Sequence, residues 1–335
     1  MQTVLVTEQV FAKAAAVFRA DQRVRAQAAA GDEASLARVV IEHQARAVIV
    51  GVDPYLGPLY EALAQTGGSQ GGLIARFGVG HDSVDKAAAR RHGVVVTNTP
   101  GVLDASVAEH AMWLAGSLAR HIASCHVAMR SGAWAPQMGL EFRGRTLGIL
   151  GFGSIGRQVA RIAHFGFQMR VVVADCLRVQ QLEQRVGMTL DVIKHQFGAD
   201  EYTNDVERVL RDADVLSIHL PATPATENFV DATRLGLMKP EALLVNTARG
   251  AVLDEDALYD ALAEGRLGGA ALDVYRNEPY HPVSPARDLR TLSNVVLTPH
   301  TGSNTRQANR AMARAALDNA AHFLAGDLQR LTRVE

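Results

Sequence analysis

The stretch Thr146-Leu-Gly-Ile-Leu-Gly-Phe-Gly-Ser-Ile-Gly-Arg-Gln-Val-Ala160 decides the fold. A short apolar run, 146–150, reads as a strand; a Gly-x-Gly-x-x-Gly turn follows, and a helical run begins at Gly156. Strand, glycine turn and helix in that order open a dinucleotide-binding βαβ unit. Gly151 permits the tight turn, Gly153 lets the backbone approach a pyrophosphate, and Gly156 allows close helix–strand packing. The amides of Ser154 and Ile155, at the helix N-terminus, are placed to face phosphates. The next strand ends at Asp175, 19 residues beyond Gly156. A carboxylate there accepts hydrogen bonds from ribose hydroxyls and repels a 2′-phosphate. NAD is therefore the expected cofactor rather than NADP, with Arg178 the one nearby cation.

Working outward, three residues stand just past the C-terminal ends of apolar runs. Arg249 follows Leu-Leu-Val-Asn-Thr-Ala248, Glu278 follows Leu-Asp-Val-Tyr-Arg-Asn277, and His300 follows Val-Val-Leu-Thr-Pro299. In open α/β sheets ligands bind outside the carboxyl ends of the strands. Singly, each has a bland reading: a solvated charge, a loop Glu-Pro pair, a histidine satisfying a carbonyl. Together, beside a nucleotide site, a guanidinium, a carboxylate and an imidazole suggest hydride transfer to an anionic carbonyl compound.

Strand-like runs alternate with helical ones along most of the 335 residues, which argues for parallel sheets and two domains. The first block reads strands at 4–6, near Val24, and at 47–51, 73–77 and 94–97. A long apolar-periodic helix is expected from Asp104 to about Met129, then an extended arm over 131–144 carrying Trp134. The second block runs from 146 to 297, and a final amphipathic helix over 305–324 returns to the first. The expectation is an α/β protein of two Rossmann-like domains separated by a cleft. Residues 1–99 and 299–335 would form a discontinuous substrate domain, and 100–298 the NAD-binding domain.

Composition narrows the partners. With 34 Lys and Arg against 35 Asp and Glu, the net charge of -1 makes no electrostatic case for nucleic acid or a membrane surface. No run reaches the roughly 18 apolar residues of a membrane helix, and the amino terminus reads as a strand rather than a signal peptide. Cys125 and Cys176 lack metal-ligand spacing, so no metal is expected and a reduced, cytoplasmic setting is. Cys176 reads as a buried small residue.

The motifs Ala75-Arg-Phe-Gly-Val-Gly80, Thr97-Asn-Thr-Pro-Gly101, Gly148-Ile-Leu-Gly-Phe-Gly153, His219-Leu-Pro221, Asn246-Thr-Ala-Arg-Gly250 and Thr298-Pro-His-Thr-Gly302 stand in an order that resembles the D-isomer-specific 2-hydroxyacid dehydrogenases. The resemblance covers nearly the whole chain. It implies NAD-dependent interconversion of a 2-oxo acid and a D-2-hydroxy acid. In that pattern Arg249 binds the substrate carboxylate, His300 exchanges the proton, and Glu278 hydrogen-bonds the other ring nitrogen of His300. Val79 and Gly80 match further carboxylate-binding positions. Leu220, Pro221, Thr247, Ala248, Asp273 and Gly302 match positions along the cofactor. A homodimer is implied as well. Two alternatives stay open: a formate- or phosphite-type dehydrogenase, against which Glu278 argues, and an NAD(H)-sensing corepressor-like protein.

Two departures bear on specificity. Residues 176–212 are longer than the family pattern needs and include an extra helical stretch near 188–197, expected at the adenosine end. The loop Val52-Asp-Pro-Tyr-Leu-Gly57 carries no Arg or Lys, so an unphosphorylated substrate is expected, with Tyr55 helping to shape its pocket.

Overall fold

In a computed structural model, which describes residues 1–334, the chain forms two compact units, 1–103 with 303–335 and 104–302. The divisions fall at 103/104 and 302/303, where the sequence suggested 99/100 and 298/299. His300 accordingly belongs with the second unit.

The first unit holds five parallel strands: β1 (Thr3–Thr7), β2 (Arg25–Ala29), β3 (Ala47–Val50), β4 (Gly72–Arg76) and β5 (Val94–Thr97), in the order β2-β1-β3-β4-β5. β3 and β4 are buried along their whole length, as strands covered by helices on both faces must be.

The second unit holds β6 (Thr146–Leu150), β7 (Arg170–Ala174), β8 (Glu201–Thr203), β9 (Val215–Ile218), β10 (Leu243–Asn246), β11 (Gly269–Leu272) and β12 (Val295–Leu297). Their order is β12-β11-β10-β9-β6-β7-β8, all parallel. The chain reverses direction across the sheet between β6 and β9, which makes their C-terminal ends the topological switch point. The glycine turn leaves β6 there.

The long helix expected from Asp104 is two helices, Asp104–Ala119 and Ile122–Arg130. The Ala119 carbonyl accepts from the Leu140 amide at 2.8 Å, so the returning arm takes the acceptor that a continuing helix would need. His121 turns the chain with φ 52°. The expected extra stretch is the helix Leu190–Phe197, preceded by the helix Val179–Val186. The arm over 131–144 has no regular structure, and Trp134 (84% exposed) projects from it. No helix among the described residues is long and apolar enough to cross a membrane.

Candidate functional site

At the switch point the glycines serve distinct needs. Gly151 has φ 93°, and a Cβ on it would lie 2.6 Å from the His219 carbonyl oxygen. A Cβ on Gly156 would overlap the Gly151 carbonyl oxygen. Both are therefore glycine for the packing of turn, strand and helix. A Cβ on Gly153 would meet no protein atom within 4 Å. Nothing in the fold itself demands glycine there, whereas a ligand approaching the backbone does. Gly153 caps the helix Ser154–Arg161 without a side-chain cap bond, so the first amides, those of Ser154 and Ile155 among them, have no intrahelical acceptor.

Asp175 closes the turn from β7. Its Oδ2 accepts from the Phe152 amide at 2.6 Å and its Oδ1 from the Leu177 amide at 2.9 Å. The Cys176 side chain also hydrogen-bonds this carboxylate; with about four acceptor positions in all, one remains for a ribose hydroxyl. Cys176, expected to be buried, is exposed at the end of β7. Leu220 lies against Gly151, and the Pro221 carbonyl accepts from Thr226 Oγ1 at 2.6 Å. His219 shares a hydrogen bond with Ser217 Oγ at 2.8 Å, and burial pushes its pKa down to about 4. It is therefore neutral near pH 7.

The turn after β10 is built by Asn246, which the sequence reading left unassigned. Its Oδ1 accepts from the Ala248 amide at 3.0 Å and its Nδ2 donates to the Arg249 carbonyl at 2.9 Å. Between them the buried Thr247 hydroxyl has no protein partner among the described residues, a polar atom suited to a bound cofactor. Arg249 follows, donating to the Ala248 carbonyl at 2.6 Å. Gly250 then packs directly on the backbone of Tyr275 and Arg276.

That packing brings the Arg249 turn beside the loop carrying Glu278. Glu278 Oε1 accepts from the Tyr275 amide at 3.0 Å, and Oε2 lies 2.7 Å from His300 Nδ1. Burial alone would raise the Glu278 pKa. The hydrogen bond and charge of His300, the Tyr275 amide and the nearby Arg249 charge outweigh it and hold the group below its ordinary value. Glu278 is thus a carboxylate, which can only accept. Nδ1 of His300 must carry the hydrogen, and Nε2 is the nitrogen available to a substrate.

His300 has φ 52°, uncommon for a residue with a side chain. Asp273 holds it there. The His300 amide donates to the Asp273 carbonyl at 2.8 Å. The Asp273 carboxylate accepts from Thr298 Oγ1 at 2.6 Å, and from the Thr301 and Gly302 amides at 2.8 Å each. His110 Nε2 stands 3.3 Å from it. Burial opposes ionisation of Asp273, but these donors keep its pKa below the usual range. The sequence reading had Asp273 and Gly302 lining the cofactor. Asp273 is 1% exposed and Gly302 is one of its donors, so both also fix the loop that presents His300. His110, on the helix that opens at Asp104, joins this network through Thr298 Oγ1 at 3.2 Å.

In the first unit, Val79 and Gly80 follow β4. Asn98 Nδ2 donates to the Val79 carbonyl at 2.8 Å, and Gly78 and Thr99 exchange hydrogen bonds beside it. Tyr55 departs from expectation. Its backbone bridges to Val84, and its ring is fully buried in the core of that unit, with no surface to offer a substrate. The charge of its loop also needs amending. Burial and Arg76 push the Lys13 pKa down while Asp53 pulls it up, so a cation from another element, Lys13, stands near Asp53.

Residues 112–302 match the family model described as D-isomer specific 2-hydroxyacid dehydrogenase, NAD binding domain. The glyoxylate reductase of Pyrococcus furiosus is 40% identical over 265 residues, 76% of this chain and 74% of the relative. The D-3-phosphoglycerate dehydrogenase of Methanocaldococcus jannaschii is 35% identical over 76% of this chain and 46% of its own length. The solved structure of the TT0316 protein of Thermus thermophilus superposes with a TM-score of 0.77 at 34% identity, covering 97% of each chain.

Proposed function

The chain belongs to the D-isomer specific 2-hydroxyacid dehydrogenase family, and from that premise we propose how its residues divide the NAD-dependent interconversion of a 2-oxo acid and a D-2-hydroxy acid. When bound, the nicotinamide cofactor supplies or takes up the hydride. Gly151, Gly153, Ser154, Ile155, Gly156 and Asp175 would hold it, with Leu220, Pro221, Thr247 and Ala248 alongside. Arg249 binds the substrate carboxylate with its planar fork and draws charge toward the carbonyl oxygen. Val79 and Gly80, in the first unit, match carboxylate-binding positions of the family through their backbone amides. His300 gives a proton from Nε2 to the carbonyl oxygen in reduction and takes it back in oxidation. Glu278 keeps the imidazole in the required tautomer and orientation.

The observation that carries this reading is the 2.7 Å pair of His300 Nδ1 and Glu278 Oε2, with Arg249 close enough to lower the Glu278 pKa. We take the substrate to be a small unphosphorylated 2-oxo acid, in keeping with the glyoxylate reductase relatives. The test is oxidation of NADH and NADPH with glyoxylate, hydroxypyruvate, pyruvate, longer 2-oxo acids and 3-phosphohydroxypyruvate. NADH turnover ranked toward the small acids is expected. A preference for the phosphorylated compound would overturn the substrate assignment, and NADH binding without any turnover would overturn the enzymatic one.

The reading includes a homodimer and the cytoplasmic setting expected from the two free cysteines. Trp113, Ile122, Val127, Met129, Trp134 and Met138 are all exposed within one stretch of the sequence of the second unit, the kind of apolar side chains that mark an interaction site where they are contiguous. Light scattering should give twice the 35.9 kDa chain mass, and Trp134→Glu with Met138→Glu should shift the protein to monomer. A parent protein that scatters as a monomer sinks the dimer.

A further inference from the structure

The extra helix Leu190–Phe197 docks onto the helix that starts at the glycine turn. Ile193 is fully buried in the core beside it. Gly198 ends the extra helix with φ 68° and packs so tightly that a Cβ there would overlap the His164 side chain. The contact nearest the turn is made by Phe197, itself 9% exposed. The Arg157 guanidinium carbon lies 5.5 Å from the centre of its ring. On its other side Arg157 donates to the Phe152 carbonyl at 3.0 Å. Phe152 belongs to the glycine turn, and its amide binds Asp175.

A cation near the start of a helix opposes the helix dipole, and burial also pushes the Arg157 pKa down. The fold thus keeps a costly charge at this place. Its contacts give it a purpose: one face rests on an aromatic ring, and one N–H fastens the carbonyl of the turn.

We propose that Phe197, carried by the extra helix, is a positioning residue for the dinucleotide, acting through Arg157 on the Phe152 carbonyl and so on the glycine turn and Asp175. The extra helix is in this view a brace for the cofactor loop. The inference rests on the dinucleotide reading of that loop, which NADH binding by the parent protein tests separately.

The experiment is calorimetric titration of NADH into the full chain and its variants, with kcat at saturating NADH and thermal unfolding without ligand measured alongside. Phe197→Leu should raise the NADH Kd about 2- to 30-fold, the range a lost cation–π contact spans. Saturated kcat should be unchanged, and Phe197→Tyr, which keeps the ring, should restore the parent Kd. Arg157→Gln cuts the same link without opening the core, and adding Phe197→Leu to it should cost nothing more. An unchanged Kd in both Phe197→Leu and Arg157→Gln would overturn the proposal. So would additive losses in the double variant, or a fall in saturated kcat that matches the fall in affinity.

Discussion

His300→Ala should lower kcat for 2-oxo acid reduction by about 10²–10⁴-fold, the contribution of one well-placed general acid, while NADH Kd stays within about two-fold. The separation follows from where the ring sits. It touches Glu278 and is presented by the Asp273 network, and the glycine turn uses neither. Steady-state rates at saturating NADH and a calorimetric NADH titration check both halves. A kcat loss under ten-fold would remove His300 from the proton transfer. Acidification gives a second check. Because the Glu278 pKa is held below its ordinary value, the pair contributes stability above that value and loses it only as pH falls through the lowered pKa. The Glu278 link should therefore survive mild acid, and a thermal-unfolding series of the parent and Glu278→Gln should converge only below the ordinary carboxylate range.

Arg249→Ala should reduce kcat/KM for the 2-oxo acid by about 10²–10³-fold, equivalent to about 3–4 kcal/mol, within the range for truncating one partner of a desolvated charge pair. Arg249→Lys should recover only a small part of it, since a point ammonium cannot reproduce the planar fork. The loss should appear in KM as well as kcat, because the carboxylate is held in ground state and transition state alike. Wild-type KM in the alanine variant would rule out a carboxylate contact. NADH affinity serves as the control for a misfolded Asn246 turn.

The glycine turn and Asp175 were legible because both depend on local spacing: a strand, three glycines and a carboxylate at the next strand end. Arg249, Glu278 and His300 could be picked out by their positions after apolar runs. What holds them could not. Asp273 draws its donors from Thr298, Thr301, Gly302 and the distant His110, and no local pattern connects residue 110 to residue 273. Tyr55 was misjudged for a related reason. Its backbone pairs with Val84, 29 positions on, a contact no local pattern shows. The helix break at Arg120 likewise depends on Leu140 reaching back for the Ala119 carbonyl. The edge strand β8 is three residues long, too short for any periodicity to show.

Gly250 has a consequence for what the protein can accept. A Cβ there would fall on top of the Tyr275 carbonyl carbon, so the Arg249 turn and the Tyr275–Glu278 loop are locked face to face. Under the proposed roles, the backbone that carries Arg249 cannot shift without moving the loop that carries Glu278, so the spacing between the carboxylate-binding and proton-exchanging groups is expected to be fixed. A 3-oxo acid assayed beside its 2-oxo isomer should therefore give no turnover.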